Sequence, residues 1–262
     1  MHSLFSQKFL NSVLDKHQPN YLNAKPFPHA VIDGLFNEIP DALIEAIRKF
    51  PTPTEMKWYK YENTFEVKLA TDKVDELPAP LRRILYELNS SRFVHFLELL
   101  TGIPAIIPDP HFIGGGLHQI QHGGKLDVHV DFNKHHQTNL DRRVNVLLYL
   151  NREWHPEYGG DLELWDADMK ECQVKIAPLF GRMVIFNISD KAPHGHPNPL
   201  TCPEHMTRKS IATYYYTNGR PAEEVSDKHR TVYKKRPGDA DDPEVERMRE
   251  ERSKGRLKDQ TT

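Results

Sequence analysis

GGGLHQIQHGGKLDVHVDFN, residues 114–133, holds two short apolar segments, Leu117–Gln121 and Leu126–Asp131, set apart by Gly123-Gly124. The same texture continues around it. Short apolar runs are punctuated by Gly, Pro, Asn and Asp at intervals of roughly ten residues, the pattern of an all-β sandwich or barrel. Ala105–Ile107, Val144–Leu150, Asp161–Trp165, Gln173–Ile176, Met183–Asn187 and Ser210–Thr217 complete a set of about eight strands. That order and number predict a double-sheet jelly roll, the double-stranded β-helix.

Upstream the apolar period becomes helical. Ser3–Lys16 places Leu4, Phe5, Phe9, Leu10, Val13 and Leu14 on one face, and Pro40–Phe50 does the same with Leu43, Ile44 and Ile47. His29–Asp33 reads as a strand, and one long helix is expected from about Pro80 to Leu100, ended by Thr101-Gly102. The expected fold class is therefore mainly β with N-terminal helices that cover one sheet. From Lys228 onward the chain carries eleven Lys/Arg and eight Asp/Glu with few apolar residues. Asp242-Pro243-Glu244 supplies an N-cap and a Pro at the first helical position, so a solvated charged helix is expected there. These shifts divide the chain into a helical and strand support region (1–100), the β-helix core (101–218) and a charged tail, helical or flexible (219–262).

A chain of 262 residues buries a core without covalent staples. Its two cysteines, Cys172 and Cys202, supply neither a disulfide framework nor a four-cysteine zinc module. With 35 Lys/Arg against 37 Asp/Glu, the net charge of -2 disfavours a globally basic nucleic-acid binder. Mean hydropathy is -0.66, and no run approaches the 18 or so apolar residues of a membrane span. MHSLFSQKFLNSVLDKH lacks the basic-then-apolar layout of a signal peptide. A cytoplasmic protein with neither a nucleic-acid nor a membrane partner is expected. The histidine count of 15 is high and directs attention to metal ligands.

His129-Val130-Asp131 ends one of the strands in the opening stretch. In extended chain, residues i and i+2 point to the same side, so this imidazole and carboxylate can hold one metal ion. Two His and one carboxylate on one face of an octahedron leave three open positions, as in non-heme Fe(II) oxygenases. About one His-x-Asp is expected by chance in a chain with this many histidines, so the triplet alone decides little. The competing His155-Pro156-Glu157 lies in a turn before Gly159-Gly160, and its central Pro fits a paired strand poorly. A third ligand should come from a later strand facing the first. The buried run ending at Phe186 leads to His194-Gly195-His196, and either histidine meets that requirement. Downstream, Arg208 opens the last strand with Ser210 on the same side; an Arg entering a barrel is costly unless it meets an anion.

His-x-Asp, a distal His about sixty residues later and Arg-x-Ser, all in a β-rich region, form a joint pattern. Here the sequence resembles the Fe(II)- and 2-oxoglutarate-dependent oxygenases, specifically the prolyl-4-hydroxylase-like branch, over roughly Phe27 to Tyr216. The resemblance is most specific in the opening stretch and in RRVNVLLYLNREW, EYGGDLELWD, GRMVIFNISD, HGHPNPL and RKSIATYYYT. It implies His129, Asp131 and His194 as iron ligands, His194 because the family's distal ligand precedes the glycine of the HG pair. It also implies that Arg208 binds the distal carboxylate of 2-oxoglutarate, that the Tyr149 hydroxyl supports that carboxylate, and that Ser210 belongs to the Arg-x-Ser variant of the site. Fe(II), 2-oxoglutarate as cosubstrate and O2 follow, with ascorbate as a candidate stimulant. Two features depart from the pattern: Pro197–Met206 lengthens the interval between His194 and Arg208, and His118 or Gln119 stands where many relatives carry a tyrosine.

The implied reaction is hydroxylation of a C–H bond, foremost that of a prolyl residue in a peptide or protein, with succinate and CO2 as coproducts. Asp131 occupies the position that related halogenases leave to Gly or Ala, so hydroxylation is expected over chlorination. Tyr214 stands where nucleic-acid-demethylating relatives carry a second Arg. Three alternatives remain beside this reading: hydroxylation of a free amino acid or other small molecule, a non-catalytic, cupin-like metal- or ligand-binding module, and an interaction protein acting through the charged tail. A binding module would not need Arg208 and Tyr149 to converge near the metal. Phe132, Trp154, Trp165 and Tyr214 are candidate pocket aromatics.

Overall fold

The computed structural model describes residues 3–37 and 39–254. Its elements run α1 (Gln7–Tyr21), β1 (His29–Ile32), α2 (Asp41–Arg48), β2 (Tyr59–Glu62), β3 (Glu66–Thr71), α3 (Ala79–Leu88), α4 (Ser91–Thr101), β4 (Ile107–Pro108), β5 (Gly116–Ile120) and β6 (Lys125–Val130). They continue with β7 (Asp141–Tyr149), β8 (Leu162–Trp165), β9 (Cys172–Ile176), β10 (Met183–Asn187), β11 (His194–His196), β12 (Arg208–Thr217), β13 (Val232–Tyr233) and α5 (Pro243–Ser253). The strands pair antiparallel in the order β1-β10-β7-β12-β5-β3-β6-β11-β8-β9, with β2 on β3, β4 on β12 and β13 on β6. This is the expected jelly-roll core, but with thirteen strands among the described residues rather than about eight. β3 joins its two halves: Leu69–Thr71 pair with β5, whereas Glu66 and Val67 pair with β6.

Alternation along β7 explains how the sheet is covered on both sides. Val144, Val146 and Leu148 belong to a core shared with Leu10, Leu81, Leu85, Phe93 and Leu97 of the helices. Tyr149, from the other face, packs inside the barrel with Leu164, Phe186 and Tyr214. A strand buried on both faces reads as a near-continuous apolar run, which is why VNVLLYL stands out in the sequence.

The single helix expected over 80–100 is two. Ser90 accepts a hydrogen bond from the Phe93 amide and caps α4, while the Asn89 amide closes α3; both sets of helix-end groups are satisfied at the break. Gly102 ends α4 with a left-handed backbone, φ 70°. The charged tail is part of the barrel rather than a solvated appendage. β13 pairs with β6, and α5 starts at the Asp242 cap and lays a buried Arg252 over the rings of Tyr233 and Phe65 at 5.2 and 5.8 Å. The tail's last part, 255–262, lies outside the described residues. Among the described residues no helix is long and apolar enough to cross a membrane.

Candidate active site

The register of β6 against β11 builds the centre. His194 pairs directly with His129 across the two strands, and Asp131 follows just past the end of β6. One ligand atom from each of His129, Asp131 and His194 lies within 4.8 Å of the others. Nε2 of His129 is 3.6 Å from Asp131 Oδ1, and Nε2 of His194 is 3.9 Å from Oδ2. A carbonyl can only accept, so the contacts of His129 Nδ1 with the Asp127 carbonyl (2.8 Å) and His194 Nδ1 with the Ala192 carbonyl (3.1 Å) place the proton on Nδ1. Both Nε2 lone pairs are then directed at the centre, the arrangement a metal-binding imidazole takes from its outer partner. Gly195 makes the close approach possible: a Cβ there would meet the Leu126 and Asp127 carbonyl oxygens at 2.9 Å.

Burial alone would raise the Asp131 carboxyl, but the Arg142 guanidinium and the two imidazoles hold it well below the usual carboxylate range. Burial, and then His129, push the His194 imidazole down to about 4. A set of two imidazoles and one carboxylate suits a divalent first-row metal. His196, the other candidate for the distal ligand, lies outside the triad. Its ring is buried in the same chamber, and neither nitrogen has a hydrogen-bond partner among the described residues.

Arg208 reaches the chamber from β12. Its Nε donates to the Gly160 carbonyl at 2.6 Å and its terminal nitrogen donates to the Tyr149 hydroxyl at 3.2 Å. Only a glycine fits at 160, where a Cβ would stand 2.7 Å from Leu200 and 2.9 Å from the Arg208 side chain, on a backbone with φ +77°. Ser210 pairs in register with Tyr149 on one side and His118 on the other. Arg208 is 4% exposed and meets a carbonyl and a hydroxyl rather than a carboxylate, so the chamber holds a buried cation in need of an anion. The orphaned nitrogens of His196 add hydrogen-bonding capacity beside it. These residues fit a divalent metal ion and, at Arg208, an anionic group such as a carboxylate.

His118 lines the chamber, whereas the Gln119 side chain turns away to the Pro51 carbonyl and Thr207. Of the two, alternation along β5 thus turns His118 into the chamber. Burial, and then Lys68, push His118 down to about 3. Phe132 and Tyr214 line the chamber; Trp154 instead packs with Ile120, Leu200 and Cys202, and Trp165 donates to Glu163. His155 and Glu157 flank a surface turn, His155 against Tyr158.

Sequence reading missed four contributors. Arg142 is 1% exposed, lies 3.7 Å from Asp131 and is sandwiched between Phe132 and Tyr214 at 3.9 and 3.3 Å. An arginine inside a run buried on both faces was its signal. Lys68 and Glu66, paired at 2.8 Å on β3, face the chamber. Tyr233 from the tail has its ring 5.7 Å from that of His129.

The chamber has a volume of about 150 Å³ and adjoins a groove of about 690 Å³, the two sharing Tyr61, Ala70, Gly114, Phe132 and Thr231.

A family model described as the 2OG-Fe(II) oxygenase superfamily matches residues 115–216. No curated protein matches. Among solved structures, a Pseudomonas putida prolyl-4-hydroxylase is similar at 18% identity, covering 80% of this chain and 100% of that one, with a TM-score of 0.51. A Trichoplax adhaerens prolyl hydroxylase, in complex with a hypoxia inducible factor oxygen degradation domain peptide fragment, matches at 20% identity over 80% and 93%, with a TM-score of 0.53. A prolyl 4-hydroxylase from Phytophthora capsici matches at 22% identity over 95% and 81%, also with a TM-score of 0.53. At these identities the likeness is one of fold.

Proposed function

We propose that this chain, whose residues 115–216 match the 2OG-Fe(II) oxygenase superfamily, hydroxylates a prolyl residue within a peptide or protein. The observation that carries this reading is the joining of a small metal chamber to a larger groove. A chamber of this size, partly filled by cosubstrate, has room for one side chain, while the groove has room for the flanking segment. A free amino acid would leave the groove unused. The fold shared with prolyl hydroxylases, one of them with a bound peptide, supports the same choice.

In this reading His129, Asp131 and His194 hold Fe(II), and Arg208 with Tyr149 and Ser210 anchors 2-oxoglutarate. Bound together, iron, cosubstrate and O2 supply the oxidising power that inserts one oxygen atom into a C–H bond, the cosubstrate leaving as succinate and CO2. The protein's own residues position these partners. Arg142 and Asn145, whose amide donates to Asp131 at 3.3 Å, hold the carboxylate in place. The buried rings of Tyr149 and Tyr214 limit water around the reacting centre.

The test is anaerobic titration with Fe(II) and 2-oxoglutarate, followed by O2 and assay of succinate. A proline-containing peptide should then gain the mass of one oxygen, without chlorination in high chloride. Oxidation of a free small molecule in step with succinate, and of no peptide, would replace the proposed substrate class.

A further inference from the structure

Resting on the prolyl-peptide reading above, we propose that the groove outside the metal chamber receives a segment of the substrate rich in Asp and Glu. The groove's volume of about 690 Å³ lies within the range of roughly 300–1,000 Å³ that encloses most of a mid-sized ligand. Its apolar lining includes Tyr59 and Tyr61 of β2, and its charged lining is one-sided. Lys134, Lys228 and Arg230 bring three cations against the single carboxylate of Asp72, with His136 and His229 beside them. The chain as a whole carries a net charge of -2, whereas the residues that line the groove are mainly cationic, with Asp141 and Asp190 behind them.

Two of these groups are held from behind. Lys134 Nζ lies 2.9 Å from Asp141, and His229 Nε2 lies 2.8 Å from Asp190. The Lys134 ammonium keeps further donors for a ligand, since it has three, whereas both His229 nitrogens are engaged, Nδ1 with the Arg230 carbonyl at 2.7 Å. Lys228 is exposed and stands where the tail passes the groove before Thr231 and Tyr233 enter the chamber. A ligand with carboxylates flanking the reacting residue would meet Lys228 and Lys134 while its backbone lies against the tyrosines. Rim charges of this kind act chiefly on association rate and partner choice and are screened by salt. A neutral or basic segment would gain the aromatic contact and none of the charge complementarity.

The experiment uses the full chain loaded with Mn(II) and 2-oxoglutarate, so that binding is read without turnover. Two fluorescent probes share a Leu-Pro-Ala core, one flanked by three Glu on each side and the other by three Lys. At low salt the acidic probe should bind at least tenfold more tightly by anisotropy, and the difference should shrink several-fold at high salt. Lys228→Glu should weaken the acidic probe about three- to tenfold, with 2-oxoglutarate affinity reporting that the variant is folded. Equal binding of both probes, with either one gaining oxygen when Fe(II) and O2 are supplied, would overturn the acidic preference and leave the prolyl reading standing. Binding of neither by protein that still holds 2-oxoglutarate would overturn both.

Discussion

Asp131 carries its charge where burial alone would neutralise it, and Arg142 is what keeps it ionised. The proposed metal ligands and their neighbours therefore separate by role at the level of single atoms. His194→Ala should abolish Mn(II) binding, because it removes an Nε2 directed at the centre. His196→Leu should keep the metal and weaken 2-oxoglutarate by about ten- to a hundredfold, the value of one hydrogen bond to a charged group. Isothermal titration of each variant with Mn(II), then 2-oxoglutarate, checks both. Arg208→Ala should cost far more, about 3–5 kcal/mol of cosubstrate affinity, because a buried carboxylate loses its charge partner; Tyr149→Phe should cost about 1.5–3 kcal/mol. An acid-side effect belongs to His118. The unfolded chain takes up a proton on this residue near 6.5, while the folded one resists until about 3. The penalty is absent above 6.5 and grows as pH falls below it, by about 1.4 kcal/mol per unit. Between pH 7 and 5 the wild type should lose about 2 kcal/mol more stability than His118→Asn, read from urea midpoints.

β11 is three residues long, yet it sets the distance between two proposed ligands. Adding a methyl at Gly195 should push β11 from β6, costing about 1–3 kcal/mol, and should weaken metal binding more than a comparable change elsewhere in the sheet. Thermal melts with and without Mn(II) give the comparison, since metal-linked stabilisation shrinks when ligands are displaced. The same strand shows why the site was more legible than the elements that carry it. His129, Asp131 and the HGH segment were visible as residue types in order, but a strand of three residues has no periodicity to detect. β2 and β3 were lost for a related reason. Tyr-Lys-Tyr-Glu of β2 is exposed at Tyr59, Lys60 and Glu62, and Glu-Val-Lys-Leu-Ala-Thr of β3 carries charges inward, because Glu66 and Lys68 face a polar chamber instead of a core. Alternation is read by assuming that the inner face is apolar, and that assumption fails at a site. β5, β6, β7, β10 and β12 pack against apolar partners, and there the expected segments and the strands agree to within a few residues.

Across the whole molecule, the charged C-terminal segment proves to be part of the chamber. Composition alone made it a separable tail, since Lys, Arg, Asp and Glu dominate it. The structure threads it past the groove, pairs Val232 and Tyr233 with Val130 and His129, and stacks Tyr233 on Phe65 at 4.5 Å. α5 then fixes this strand from outside through Arg252, 5% exposed and 5.2 Å from the Tyr233 ring. A buried arginine on an aromatic pair contributes through both its stem and its charge. Arg252→Ala should therefore cost about 2 kcal/mol, and for a domain of this size the melting temperature should fall by about 4–8 °C. Removing residues 228–262 should do more, because it strips one wall from the chamber and exposes Phe65 as well as the edge of β6 beside His129. The shortened chain is expected to melt earlier still and to bind Mn(II) and 2-oxoglutarate less tightly than Arg252→Ala does. Equal cosubstrate affinity in the full and shortened chains, measured under identical metal loading, would return the tail to the role of an independent arm.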